Sequence, residues 1–250
     1  MRILLFFLLL PVFSCAQKEN VVSEPPQDPL SFGLDSLNTE KCIGDNCATL
    51  RIVWPVARGQ NSDQVNQTIH DEVSKYIMFG DDPTMSRDSL IAGYFGMFEE
   101  QMREFPDTPW GYEIDVEGKV SYESDSTVSI HFGWMSYMGG AHPNHGEDFV
   151  NLNAVTGAYL SQDLLIRDQE KLKAVAEQKF REFHQMADGV SLTDDGRFFL
   201  PETGFFLANA MGFDDDKFWI VYVPYEIGPY AMGDTHLEFT KQELGDIVRW

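Results

Sequence analysis

The strongest constraint on the fold is a change of hydrophobic period near Trp110. Before it, Val65, Ile69, Val73, Tyr76 and Ile77 recur at helical spacing, and Leu90, Tyr94, Phe98 and Met102 do the same after a break at Gly80-Asp81-Asp82-Pro83. After it the period is two. Residues 111–116 and 119–123 flank a Glu117-Gly118 turn, 127–137 form a long aromatic-rich strand, and 149–153 return after a Gly139-Gly140 corner. Thr156-Gly157 turns the chain once more before 158–160. The pattern predicts two helices followed by an antiparallel meander without helical crossovers.

The flanks extend this plan. Residues 48–56 read as a first strand, and 162–186 as a third helix with Leu172, Val175, Ala176 and Phe180 on one face. Residues 198–200, 205–210 and 217–224 read as strands, the last two joined across residues 212–216. A final strand at 235–239 leads into a short helix at 240–247, with Thr240 as N-cap and Glu243 at the capping-box position. The fold class is α+β, an antiparallel β-sheet with helices packed on it, without a fixed-period repeat.

Residues 1–15 read as an export signal: Arg2 supplies the positive start, residues 3–10 are apolar but too short to span a bilayer, and Val12-Phe13-Ser14-Cys15 resembles a lipobox. Cleavage there leaves a diacylated Cys15 and a lipid-anchored protein in the cell envelope, facing the periplasm or the outer membrane. Phe13 is bulkier than the usual residue, and the rival is secretory cleavage after Ala16; both export the chain. Residues 16–47 are expected to be a polar, Pro-containing linker ending in a disulfide clip, followed by a domain over 48–250 with halves at 48–125 and 126–250. Cys42 and Cys47, flanking turn-forming Gly44-Asp45-Asn46 in an oxidising compartment, are expected to be bonded to each other.

Forty acidic against eighteen basic residues give a formal net charge of -22. Such a field repels nucleic acid and anionic lipid head groups and favours cationic partners or metal ions.

The densest polar constellation is residues 139–148, Gly-Gly-Ala-His-Pro-Asn-His-Gly-Glu-Asp. Read as chemistry, His142 and His145 share a metal with Glu147 or Asp148, the core of a metal-dependent hydrolase acting on envelope polysaccharide or peptide. Read as structure, the glycines shape a loop that His142 ties down with a hydrogen bond, and no cofactor is expected. The structural reading is preferred, because the spacing is not one that fixes ligand geometry. The Asp194-Asp195-Gly196 and 214–216 aspartates do not follow the EF-hand ladder and read as solvated turns. No Gly-x-Ser-x-Gly elbow or phosphate-cradling loop is present. Trp134, Tyr222 and Met232 are expected in the core, while Tyr225 and Tyr230 lie on a Pro/Gly-restrained segment suited to contact anchors or, equally, to bracing rings.

Tyr137-Met138-Gly139-Gly140-Ala141-His142, Asn151-Leu152-Asn153 through Thr156-Gly157 to Asp163-Leu164-Leu165, and Val223-Pro224-Tyr225-Glu226-Ile227-Gly228-Pro229-Tyr230-Ala231-Met232-Gly233 follow one another in an order that resembles the RsiV-like envelope domains. That family includes the extracytoplasmic part of the anti-sigma-V factor, which binds lysozyme, and the accessory domain of PdaC-type peptidoglycan deacetylases. The resemblance is strongest from residue 126 onward and implies helices on an antiparallel sheet and an exported recognition domain. It transfers neither a sigma-binding segment nor a deacetylase catalytic domain. Together these readings predict a protein that binds rather than catalyses, recognising a cationic, lysozyme-like protein or a peptidoglycan ligand, with Tyr137, His142, Tyr225 and Tyr230 as candidate contacts.

Overall fold

The computed structural model describes residues 28–80 and 84–250. The expected signal, its Cys15, the first part of the linker and residues 81–83 of the interhelical break lie outside the described residues.

Five strands form the first sheet in the order β1 (Ser31–Ile43), β2 (Asn46–Arg58), β3 (Tyr112–Glu123), β4 (Thr127–Tyr137) and β5 (Asn144–Asn153). Neighbours are antiparallel except β2 and β3, which are parallel. Helices α1 (Ser62–Lys75) and α2 (Arg87–Glu104) make the crossover that a parallel pair requires, so the sheet is mixed rather than wholly antiparallel. Ser86 caps α2 by accepting from the Ser89 amide, and the buried residues of both helices are those the period picked out, Val65, Ile69 and Val73, then Leu90, Tyr94, Phe98 and Met102.

Two local expectations change. Ser31–Ile43, assigned to the linker, is a full edge strand: Phe32 and Leu37 pack on the core while Leu34 is 70% exposed, so no clean alternation marks it. Glu117-Gly118 is not a turn but the middle of a continuous β3. Gly118 is there because a Cβ would meet the Phe132 ring of the facing strand at 2.4 Å.

The remaining chain builds a second layer. Helices α3 (Gln162–Leu165) and α4 (Gln169–Phe183) replace the single helix expected there, because Ile166 turns extended to bridge Val248 and Asp168 caps α4, accepting from the Lys171 amide at 3.1 Å. After α5 (Leu192–Asp195), strands β6 (Ala210–Asp214), β7 (Lys217–Tyr222) and β8 (Thr235–Thr240) form an antiparallel sheet, and α6 (Lys241–Leu244) carries the expected capping box of Thr240 and Glu243. The β6–β7 turn is only Asp215-Asp216, since residues 212–214 are strand. Residues 205–209 are irregular, and side chains do the work of a ladder: Tyr222 donates to the Phe206 carbonyl at 2.6 Å, Gln162 to the Ala208 carbonyl at 3.2 Å, and Glu226 accepts from the Asn209 amide at 2.9 Å.

Each layer has its own apolar core. One joins α1 and α2 to β2–β5, the other joins α4 to β6–β8 around Phe180, Phe213, Phe218 and Tyr222. A buried polar seam ties them. Ser129 on β4 accepts from the Phe213 amide at 3.0 Å, and Asn151 on β5 donates to the Met211 carbonyl at 2.8 Å, satisfying the β6 edge.

Candidate functional site

The β4–β5 loop, residues 138–143, meets the segment between β7 and β8 in a stack of rings. The His142 imidazole lies on the Tyr230 ring with centroids 3.7 Å apart and planes 23° apart, and Tyr225 and His145 flank Tyr230 at 5.7 and 5.8 Å. The contacts fix the imidazole tautomer. Nδ1–H donates to the Pro143 carbonyl at 2.9 Å, leaving Nε2 to accept from the Tyr225 hydroxyl at 3.4 Å. Tyr230 donates to the same Pro143 carbonyl at 3.0 Å, and Tyr137 donates to the Gly140 carbonyl at 3.0 Å. Tyr137 and Tyr230 are half-buried braces of the loop, whereas Tyr225 is 55% exposed.

Tyr225 is held out by its backbone. In Val223-Pro224-Tyr225-Glu226 the Glu226 amide donates to the Val223 carbonyl at 3.1 Å, and Tyr225 has φ 70°, a left-handed conformation that in a turn with Pro at the second position normally selects Gly. Glu226 locks the turn, its carboxylate accepting from the Val223 amide at 3.2 Å and the Asn209 amide at 2.9 Å. Burial raises the Glu226 carboxyl above its ordinary range, and these two amides moderate the rise. A bulky aromatic at a strained, exposed position is a feature that packing alone does not select.

Below the loop runs an alternating chain of imidazoles and carboxylates. His131 Nε2 is 2.8 Å from Glu147 Oε2, His236 Nε2 is 3.4 Å from Glu147 Oε1 and 4.0 Å from Asp234 Oδ2, and His145 Nε2 is 3.3 Å from the same Asp234 oxygen. Burial works to raise the Glu147 carboxyl, but the His131 hydrogen bond and the charges of His131, His236 and Lys119 outweigh it and hold the group below its ordinary range.

In this structure each residue of the metal alternative has other partners. Glu147 is engaged by His131 and His236, both ring nitrogens of His142 have partners, and His145 turns to Asp234, so His142, His145 and Glu147 do not converge on a common point. Among the described residues the one group with ligand atoms in mutual reach is Glu40, Cys42 and Cys47, and both of its sulfurs are spent in a disulfide. Asp148 is elsewhere, on the opposite face of the sheet, where its Oδ2 accepts from Trp134 Nε1 at 2.9 Å and from the Tyr76 hydroxyl at 3.1 Å.

The Cys42–Cys47 disulfide forms as expected and closes the β1–β2 hairpin across a directly paired position, Cα to Cα 4.0 Å. Of the aspartates expected in solvated turns, Asp195 ends α5 and pairs with Arg197, and Asp214 ends β6 and pairs with Lys119 at 2.9 Å. The sequence reading missed His131, His236 and Asp234, which the folded chain brings to Glu147 and His145, and Trp110, whose indole Nε1 would lie 2.5 Å from a Cβ at Gly139 and which borders the loop 38% exposed. An aromatic next to the period change was the available signal for Trp110. No described helix is long and apolar enough to cross a membrane.

Residues 43–145 match the family model described as deacetylase PdaC, and residues 162–242 match that of a protein of unknown function, DUF3298. The PdaC match extends the RsiV-like resemblance, which the motifs carry mainly from residue 126 onward, into the N-terminal half. A crystal structure of a DUF3298 family member from Bacteroides fragilis is similar at a TM-score of 0.64 and 15% identity, over 88% of this chain and 94% of that one. Another, of a DUF3298 family protein from Pseudomonas aeruginosa, is similar at 0.61 and 20%, over 89% and 95%. At these identities the likeness establishes the fold. No curated protein matches the chain. The chain therefore joins a PdaC-type region, residues 43–145, to a DUF3298 region, residues 162–242, on the fold seen in DUF3298 family structures.

Proposed function

We propose that this is an exported binding protein of the cell envelope, anchored by a lipid at Cys15, that recognises a cationic protein through the surface formed by the β4–β5 loop and the Tyr225 turn. The observation that carries the reading is Tyr225 itself, an exposed aromatic kept in a left-handed backbone and oriented by His142. A rigid ring loses little conformational entropy on binding, which suits an anchor residue. Met138 on the β4–β5 loop and Trp110 beside Gly139, each 38% exposed, add apolar surface at that loop. The net charge of -22 selects for a positive partner and steers its approach.

Catalysis has less support. The imidazole–carboxylate chain is internally paired, and the three residues of the hydrolase alternative do not form a ligand set. Binding to a cationic lysozyme, compared between the native chain and Tyr225→Ala at several ionic strengths, tests the proposal. A neutral peptidoglycan fragment serves as the competing ligand.

A further inference from the structure

The face of the first sheet that packs on α1 ends in a cavity of about 230 Å3, lined by Lys75, Tyr76, Val116, Trp134, Ser136 and Asp148 among others. Its walls are largely aliphatic and aromatic, with the Tyr76 and Trp134 rings 6.3 Å apart and tilted by 41°. The cavity is smaller than the roughly 300 Å3 at which pockets for drug-sized ligands begin, so it has room for one side chain and not for a cofactor or a disaccharide.

The charges in it do not balance. Lys75 Nζ is 2.6 Å from Glu72 Oε2, and the two neutralise each other. Asp148 makes no ion pair among the described residues; the Lys75 ammonium, which lines the same cavity and is held by Glu72, lowers its carboxyl only through its charge and does not offset the burial. Both of its hydrogen bonds, from Tyr76 and from Trp134, enter the same oxygen, Oδ2, and Oδ1 accepts from no described residue. Burial, with the nearby Glu72 charge second, pushes the Asp148 carboxyl up to about 6 against the donors that stabilise its ionised form. A cation in the cavity would relieve that cost.

The arrangement is maintained by a close approach. A Cβ at Gly146 would lie 2.6 Å from Trp134 Cζ2 and 3.1 Å from Val223 Cγ1, so only glycine lets the indole lie across β5. Trp134 lines the cavity, and Val223, the first residue of the Tyr225 turn, approaches the same point on β5 at Gly146.

We propose that this cavity is a socket for one lysine or arginine side chain of the partner, its stem along the aliphatic wall and its cationic head at Asp148 Oδ1 and the rings of Tyr76 and Trp134. The socket rests on the cationic-partner reading and names the contact that reads the charge.

The test uses the full chain and N-acetyl-lysinamide as probe, following the Trp134 indole N–H by NMR, with Trp134→Phe to assign the signal. Saturable shifts in the millimolar range are expected. N-acetyl-norleucinamide, which keeps the stem and lacks the ammonium, should produce none. Asp148→Asn keeps an acceptor for Tyr76 and Trp134 and should weaken lysinamide binding about tenfold or more. Equal shifts from the two probes, no shift with lysinamide, or shifts unchanged in Asp148→Asn would overturn the socket, even where Tyr225→Ala still weakens lysozyme binding. Lysinamide binding that depends on Asp148 supports the socket, whatever Tyr225→Ala does to the protein partner.

Discussion

Glu147 and Asp148 are consecutive in β5, yet their carboxylates lie on opposite faces of the first sheet, Glu147 against His131 and His236, Asp148 against Tyr76 and Trp134. The first environment lowers its carboxyl and the second raises its own to about 6. The two therefore contribute to stability with opposite dependence on pH. Glu147, depressed in the folded state, contributes stability above its unfolded value that is lost as pH falls through the folded one. Asp148, raised in the folded state, contributes stability at low pH that is lost as pH rises from about 4 to 6. Denaturation at pH 7 should show Glu147→Gln destabilised and Asp148→Asn stabilised, each by about 1 to 3 kcal/mol, the Asp148 difference vanishing near pH 3 and the Glu147 difference shrinking as pH falls below the ordinary carboxylate range. A shift of the same sign at neutral pH would contradict the assignment.

The Cys42–Cys47 bridge closes a short hairpin loop, so its removal should cost only about 2 kcal/mol on the chain-entropy model. The double Cys→Ser variant should stay folded with a lowered melting temperature. Mass spectrometry of unreduced native protein should find neither thiol open to alkylation.

His142 orders the loop through the Pro143 carbonyl and the Tyr230 ring. His142→Ala should lower stability by about 1 to 3 kcal/mol, measured by thermal melting, because a constrained loop loses both a hydrogen bond and a stacking surface. An unchanged melting temperature would show that Tyr137 and Tyr230 hold the loop without it.

Most of the fold was legible because period reports which face is buried. The α1 and α2 stripes, the span of β4 and the Thr240 cap follow from local pattern alone. Edge strand β1 was not, since its outer face meets solvent and Leu34 breaks the alternation. Neither was the irregular run at 205–209, where Tyr222, Gln162 and Glu226 replace ladder bonds from distant positions. In the site, Pro224 and Gly228 marked Tyr225 and Tyr230 as restrained. Nothing local indicated that His142 would stack on a ring 88 positions away, or that Tyr76, the C-cap of α1, would bond Asp148. His145 and Glu147 of the metal alternative share one face of β5 but take different partners, Asp234 for the first and His131 and His236 for the second, which only the folded chain supplies.

The anchor is tested at Cys15, which lies outside the described residues. Cys15→Ser should move the protein from the detergent phase to the aqueous phase or leave it uncleaved. Native protein already in the aqueous phase with Gln17 at its N-terminus would contradict lipidation.

The central claim, recognition of a cationic protein through Tyr225, is tested most directly by association and dissociation rates with a cationic lysozyme for the native chain and Tyr225→Ala. The account predicts an on-rate that falls steeply with added salt, and a Tyr225→Ala complex that dissociates about tenfold faster or more while the melting temperature stays constant or rises, since the substitution removes an exposed ring. Binding insensitive to both salt and this substitution would contradict it and leave a neutral glycan as the ligand to pursue.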